Sequence, residues 1–183
     1  MKEKKALVLG LLVVLVVGGV IWWRGREEEV REEVKEEEVV MMEEGMKRKT
    51  EEGEEVVSRE EEEKLRQKIK TAVEEGKGER VELKGVRGWG KGEVWRMRDE
   101  EGFYLKLSVE GMQGVEKGYF YEGWLVKPEG EEISVGRVAV EGERGELYYF
   151  SKADRSDYRQ VRVTLEAEDG NPEPGEVVLE GEF

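Results

Sequence analysis

Tyr119 to Val126 reads YFYEGWLV, a run with apolar residues on both parities of an extended chain. Successive side chains of a strand point to opposite faces, so a strand that is apolar on both is covered on both sides and lies centrally in its sheet. Alternation of period two continues outward from it. Upstream, Phe103, Leu105, Leu107 and Val109 alternate with Tyr104, Lys106 and Ser108; downstream, Val161, Val163 and Leu165 alternate with Arg162, Thr164 and Glu166. Val81 and Leu83 repeat the pattern before these runs, and Val177, Leu179 and Phe183 share one parity after them. Turn formers punctuate the intervals at Gly85 and Gly88, Gly111 and Gly114, Pro128 and Gly130, Gly142 and Gly145, and Gly170-Asn171-Pro172. No long amphipathic helix separates the runs, which argues against a parallel sheet built on βαβ crossovers. Residues 79–183 therefore read as an all-β domain, an antiparallel β-sandwich of Greek-key type with about seven or eight strands.

Residues 24–78 have a different texture: Glu dominates, with Lys and Arg interspersed. This stretch reads as a charged stalk, partly helical and kept extended by its own repulsion. A first helical piece is expected from Glu27 to about Glu44, with Val30, Val34 and Met41 spaced almost as a heptad but Glu37 breaking the seam. Gly45 and Gly53, flanking Lys47-Arg48-Lys49, mark a flexible break. A second helix is better specified. Ser58 and Glu61 form the S-x-x-E capping box, and Leu65, Ile69 and Val73 follow at four-residue steps before Gly76 and Gly78 end the run. The stripe is narrow, so a solvated stalk is favoured over one that oligomerises or docks on a partner.

Upstream again, Ala6 to Trp23 reads ALVLGLLVVLVVGGVIWW, 18 residues without a charge. At 1.5 Å per residue a helix of that length spans roughly 27 Å, close to the hydrocarbon thickness of a bilayer. Trp22 and Trp23 close the run where interfacial aromatics are expected. A cleaved signal peptide would have a shorter apolar core and a small-residue cleavage site; this run has two bulky Trp there, and a signal anchor is the better reading. Residues 1–5 form a Lys-bearing lead, residues 6–23 a single-pass transmembrane helix, and the expected orientation is N-terminus in, C-terminal domain outside the cytoplasmic membrane.

The whole chain of 183 residues carries a net charge of −14, with 42% charged residues and neither Cys nor His. Such a charge argues against nucleic acid, whose binding draws on cations that neutralise phosphate. Without Cys and His, thiolate or imidazole zinc sites, Ser-His-Asp and Cys-His nucleophile systems and His-ligated haem are excluded. No catalytic, metal or cofactor-binding residue stands out. Trp124 reads as core. Trp89 and Trp95 flank the Gly-rich segment Gly88-Trp89-Gly90-Lys91-Gly92, which reads as a turn or bulge. Of Tyr148, Tyr149 and Phe150 at least one must face away from the core, where it pairs across strands or anchors a glycan or protein. Asp154 and Asp157, and Asp169 with Asn171, offer oxygens on turns but lack the spacing of a calcium loop, and such residues routinely bond their own backbone.

The distal half also bears a resemblance. Y-x-G-W-L-V at Tyr121 to Val126, a Gly-bearing strand at Ser134 to Val140, Ser156-Asp157-Tyr158, V-R-V-T-L-E at Val161 to Glu166, D-G-N-P-E-P at Asp169 to Pro174 and a closing V-L-E-G follow one another in order. This resembles the C-terminal extracytoplasmic domain of the anti-sigma-K factors, over about residues 80–183. The resemblance implies a β-sandwich and the outer, sensing half of such a factor. In that family a cytosolic sigma-binding domain precedes the membrane helix; here Met1 to Lys5 precede the apolar run, so this chain is not expected to sequester a sigma factor itself. The expected function is a membrane-anchored extracytoplasmic binding or sensing module with a protein partner in the cell envelope. A structural envelope protein acting by self-association is the alternative, and an enzyme is not expected.

Overall fold

The computed structural model describes residues 37–42, 45–50, 53–86 and 88–183. Residues 1–5 and 6–23, read from the sequence as the lead and the membrane helix, lie outside these, as does the start of the charged stretch. Among the described residues no helix is long and apolar enough to cross a membrane.

Among the described residues, twelve strands form one sheet: β1 (Glu38–Met42), β2 (Gly45–Thr50), β3 (Gly53–Val56), β4 (Glu79–Gly85), β5 (Lys91–Arg98), β6 (Phe103–Glu110), β7 (Tyr119–Val126), β8 (Glu132–Arg137), β9 (Ala139–Glu141), β10 (Arg144–Ser151), β11 (Gln160–Ala167) and β12 (Glu176–Glu182). The one helix among the described residues, α1 (Arg59–Glu74), lies between β3 and β4. The strand order is β3-β2-β1-β8-β7-β11-β12-β4-β5-β6-β10-β9, and β1 also pairs with β10. That last pairing closes nine strands into a barrel. The expected all-β class stands, but the sandwich gives way to a closed barrel.

Curvature explains the difference. Register slips between Gly123 and Trp124 in β7 and between Val163 and Thr164 in β11 bend the sheet. Gly145 lets it coil inward, since a Cβ there would stand 2.8 Å from the Val138 side chain. Alternation marks one greasy face per strand, and that face can meet a second sheet or its own far side.

The barrel interior is the core. Val94, Leu107 and Leu147 face one another across β5, β6 and β10, and all three are fully buried. Leu125, Val161, Val163 and Leu179 fill the opposite wall with no exposure. YFYEGWLV behaves as its double-sided pattern requires. Tyr121 and Leu125 join the central core, whereas Trp124 and Val126, on the other parity, are buried apart from it.

The stretch read as a stalk differs most. Its distal part belongs to the same compact unit, Lys35–Phe183. Glu38–Met42, assigned to a helix on its spacing, is strand β1, with Val39, Val40 and Met41 buried. The break at Lys47-Arg48-Lys49 is strand β2, paired to β1 along its length. The second helix forms where the capping box placed it: the Glu61 N–H donates to Ser58 Oγ at 3.3 Å, and the Ser58 N–H donates to Glu61 Oε2 at 3.3 Å. Gly76 at φ 70 follows its end. The narrow stripe docks on the barrel rather than standing in solvent, with Ile69 fully buried and Ala72 at 5%. Replacing Ser58 by alanine is expected to cost about 1 kcal/mol, read as a lower midpoint in urea unfolding at unchanged slope.

Candidate functional site

α1 covers the outer wall of β5, β6 and β10. Residues on the outward parity there include several large aromatics among the polar ones. Trp95, Tyr104 and Tyr148 are all buried, and Phe150 is half-buried against Tyr104 at 5.0 Å between ring centroids. The Trp95 Nε1–H donates to the Lys77 carbonyl at 2.6 Å, and the Arg66 guanidinium sits 4.3 Å from the Tyr148 ring centroid. Lys68 then fastens the helix to the β5–β6 turn. Its ammonium contacts Asp99 and Glu101 carboxylates at 2.8 Å each and donates to the Tyr104 hydroxyl at 2.6 Å. Burial alone would lower its pKa; the hydrogen bonds to Asp99 and Glu101 outweigh that and hold the ammonium charged. Asp99 is held in turn by the Glu101 and Gly102 N–H groups at 2.9 and 3.2 Å.

A groove of about 760 Å³ opens between the C-terminal half of α1 and this turn. Ala72 and Met97 give it an apolar lining, Gly78 brings backbone to its wall, and Lys64, Lys77 and Arg98 stand around it. Its charged groups are engaged in structural pairs, Lys77 with Glu75 at 2.7 Å and Arg98 with Asp154 at 2.7 Å. The groove offers shape, apolar contact and a charged rim, which is the chemistry of binding.

Trp124 is buried, as expected, and donates to Thr164 Oγ1 at 2.8 Å; Thr164 bonds Glu166, whose carboxylate accepts the Gly175 N–H at 2.8 Å. Trp89 packs edge-on to Tyr121 at 6.1 Å, and its N–H closes a turn to the Val86 carbonyl at 3.3 Å. Tyr149 is inside the barrel, whereas Tyr148 faces outward, yet α1 covers it, so neither is a surface anchor for a glycan. Asp154, Asp169 and Asn171 accept N–H groups two residues on, at 2.9, 2.8 and 3.1 Å. Asp157 pairs with Lys127 at 3.0 Å. Among the described residues no acidic group is arranged to hold a metal ion. The buried Arg96 is satisfied internally by Glu79 at 2.8 Å and the Tyr158 carbonyl at 2.6 Å.

Sequence reasoning missed Lys68, Met97, Lys77 and Asp99. The available signal was Tyr104 and Tyr148 on the supposed solvent face: aromatics on that parity require a cover.

One further carboxyl has a measurable consequence. Burial pushes the pKa of Glu122 up; the hydrogen bond from Ser134 at 2.5 Å opposes this, and repulsion from Glu166 adds to it. A group with a raised folded-state pKa favours folding below its unfolded value, near 4.3, and loses that contribution as pH rises through the folded value. Glu122→Gln keeps an oxygen for Ser134 and removes the charge. The variant is expected to melt above the wild type at pH 7, with the difference vanishing below about pH 4.

The barrel, with one described helix walling a groove on its flank, defines an all-β domain that presents an apolar groove beside that helix. The family described as Anti-sigma-K factor rskA, C-terminal, matches residues 6–178, and the chain belongs to that family. No curated protein and no solved structure matches the chain.

Proposed function

We propose that this chain is a membrane-tethered, extracytoplasmic recognition domain of the anti-sigma-K type, working by protein contact rather than catalysis. The tether is the apolar run of residues 6–23, with the barrel outside the cytoplasmic membrane and the N-terminus inside. The α1 groove is the contact surface for a protein of the cell envelope. The observation that carries this reading is the family match, which begins at the apolar run and continues through the barrel strands. The groove supports it: an apolar floor at Ala72 and Met97 bordered by charged groups has the layout of a small protein contact.

Two measurements test the reading. Protease added outside intact cells should remove the barrel, and full protection overturns the orientation. A photo-crosslinking amino acid at Met97 of the full chain in its membranes should yield a discrete protein adduct that is absent when the same group replaces Glu173 on the exposed 169–175 turn. Identical adducts from both positions overturn the assignment of the groove.

A further inference from the structure

Barrel closure runs through β1, which meets its two barrel neighbours over short registers, as β4 and β12 meet through two facing pairs. β1 meets β10 through two facing pairs, Glu38 with Ser151 and Val39 with Phe150, and β8 through one, Met41 with Gly136. By contrast, β5–β6, β6–β10 and β7–β11 each have eight. One backbone bond supplements the seam, from the Lys152 N–H to the Glu37 carbonyl at 2.9 Å. With β1 withdrawn, β8 and β10 present unpaired edges, and such edges take up an extended chain.

The seam also selects its strand chemically. Inside the barrel Tyr149 donates to the Glu38 carboxylate at 2.8 Å and Arg155 bonds the same oxygen. Arg155 Nε is buried without a hydrogen bond, a spare donor beside that carboxylate. At Gly136, φ is +110 and a Cβ would stand 2.5 Å from the Met41 carbonyl oxygen, so glycine lets a strand backbone approach closely. A cleft of about 240 Å³ lined by Val39, Leu65, Tyr104 and Phe150 gives access to the seam from outside.

We propose that the seam between β8 and β10 is a strand-binding site, filled at rest by β1 and open to an extended segment of a partner protein that carries a carboxylate followed by apolar residues. β1 itself, EVVMM, shows the chemistry that fits. The access cleft shares Lys64 and Lys68 with the α1 groove, but the residues that face β1 across the seam, Gly136, Phe150 and Ser151, do not line that groove, so the β1 lock tests this site separately from that reading. A partner competes with a tethered strand, and its apparent affinity rises as the hold of β1 weakens.

The test uses the full chain in detergent and a fluorescent peptide of sequence EVVMM flanked by lysines. Glu38→Gln loosens β1 while keeping an acceptor for Tyr149. Val39→Cys with Phe150→Cys locks it, and the chain has no other cysteine. Glu38→Gln is expected to bind the peptide at least tenfold more tightly than the wild type. The oxidised lock should abolish binding and reductant restore it, and alanine in place of the peptide's glutamate should weaken binding at least tenfold. Binding unaffected by the lock, or equal binding of the alanine peptide, overturns the proposal. A dimer forming in place of the peptide complex overturns the partner assignment in favour of a second copy. Hydrogen exchange on the wild type is independent of any variant: the Lys152 amide should exchange at least tenfold faster than the amides of β6, and equal protection also overturns the proposal.

Discussion

Glu38→Ala is expected to lower the stability of the folded unit by about 2–4 kcal/mol. Removing one member of a buried ion pair typically costs about 3–5 kcal/mol, because the partner charge stays behind unpaired. The side chains of Glu38 and Arg155 are 18% and 15% exposed, so water relieves part of that penalty. Tyr149 adds to the loss. It is fully buried, burial has already pushed its hydroxyl pKa well above the usual range, and Glu38 is the acceptor of its proton. An orphaned hydroxyl costs about 1–3 kcal/mol. Urea unfolding followed by tryptophan fluorescence measures the change. Removing both charges should recover part of it: Glu38→Ala with Arg155→Ala is expected to be less destabilised than the sum of the single variants, since neither charge is then left buried without the other, although the Tyr149 hydroxyl still lacks its acceptor. Strict additivity would mean that the pair contributes nothing as a pair.

The same residue shows where sequence reading stops. In Glu38-Val39-Val40-Met41 the apolar residues are consecutive, and nothing local separates a short buried strand from a turn of helix. The deciding partners are distant: Phe150 faces Val39 across the seam, and Arg155 meets Glu38 from 117 residues away. The capping box at Ser58, by contrast, has all its donors and acceptors within one turn, so it could be read directly. Strand parity was legible for the same reason, because alternation needs only near neighbours. Whether those strands stack as two layers or curl into a ring depends on bulges such as that after Val163 and on inward glycines such as Gly145. Neither leaves a trace in the hydrophobic pattern. The groove was hidden behind the rule that polar parity means solvent. Tyr104, Lys106 and Tyr148 obey the alternation, yet α1 lies over them.

Trp95 ties that cover to the groove, and its removal is the other large effect expected. Trp95→Ala should cost about 3–5 kcal/mol, the range for deleting a large aromatic from a packed site. Trp95 is 2% exposed, and its ring holds the chain just beyond α1 through the Lys77 carbonyl at 2.6 Å. The turn has no slack to follow a smaller side chain: a Cβ on Gly78 would already stand 2.9 Å from Trp95 Nε1 and 2.3 Å from the Arg96 carbonyl oxygen. Lys77 and Gly78 line the groove although Trp95 does not. Truncating the indole should therefore loosen the groove wall from behind and abolish the crosslink from Met97. Trp95→Phe separates the two roles of the side chain. It keeps most of the buried ring and loses the hydrogen bond, for about 1–2 kcal/mol, and should retain the crosslink. Leu107→Ala serves as the comparison, since Leu107 is fully buried inside the barrel and a similar loss of about 2–5 kcal/mol falls on the central core. At a urea concentration where both alanine variants remain folded, only Trp95→Ala should lose helical circular dichroism and the adduct together. Loss of both signals in Leu107→Ala as well would mean that α1 follows the barrel as one cooperative unit and that Trp95 has no special hold on the groove.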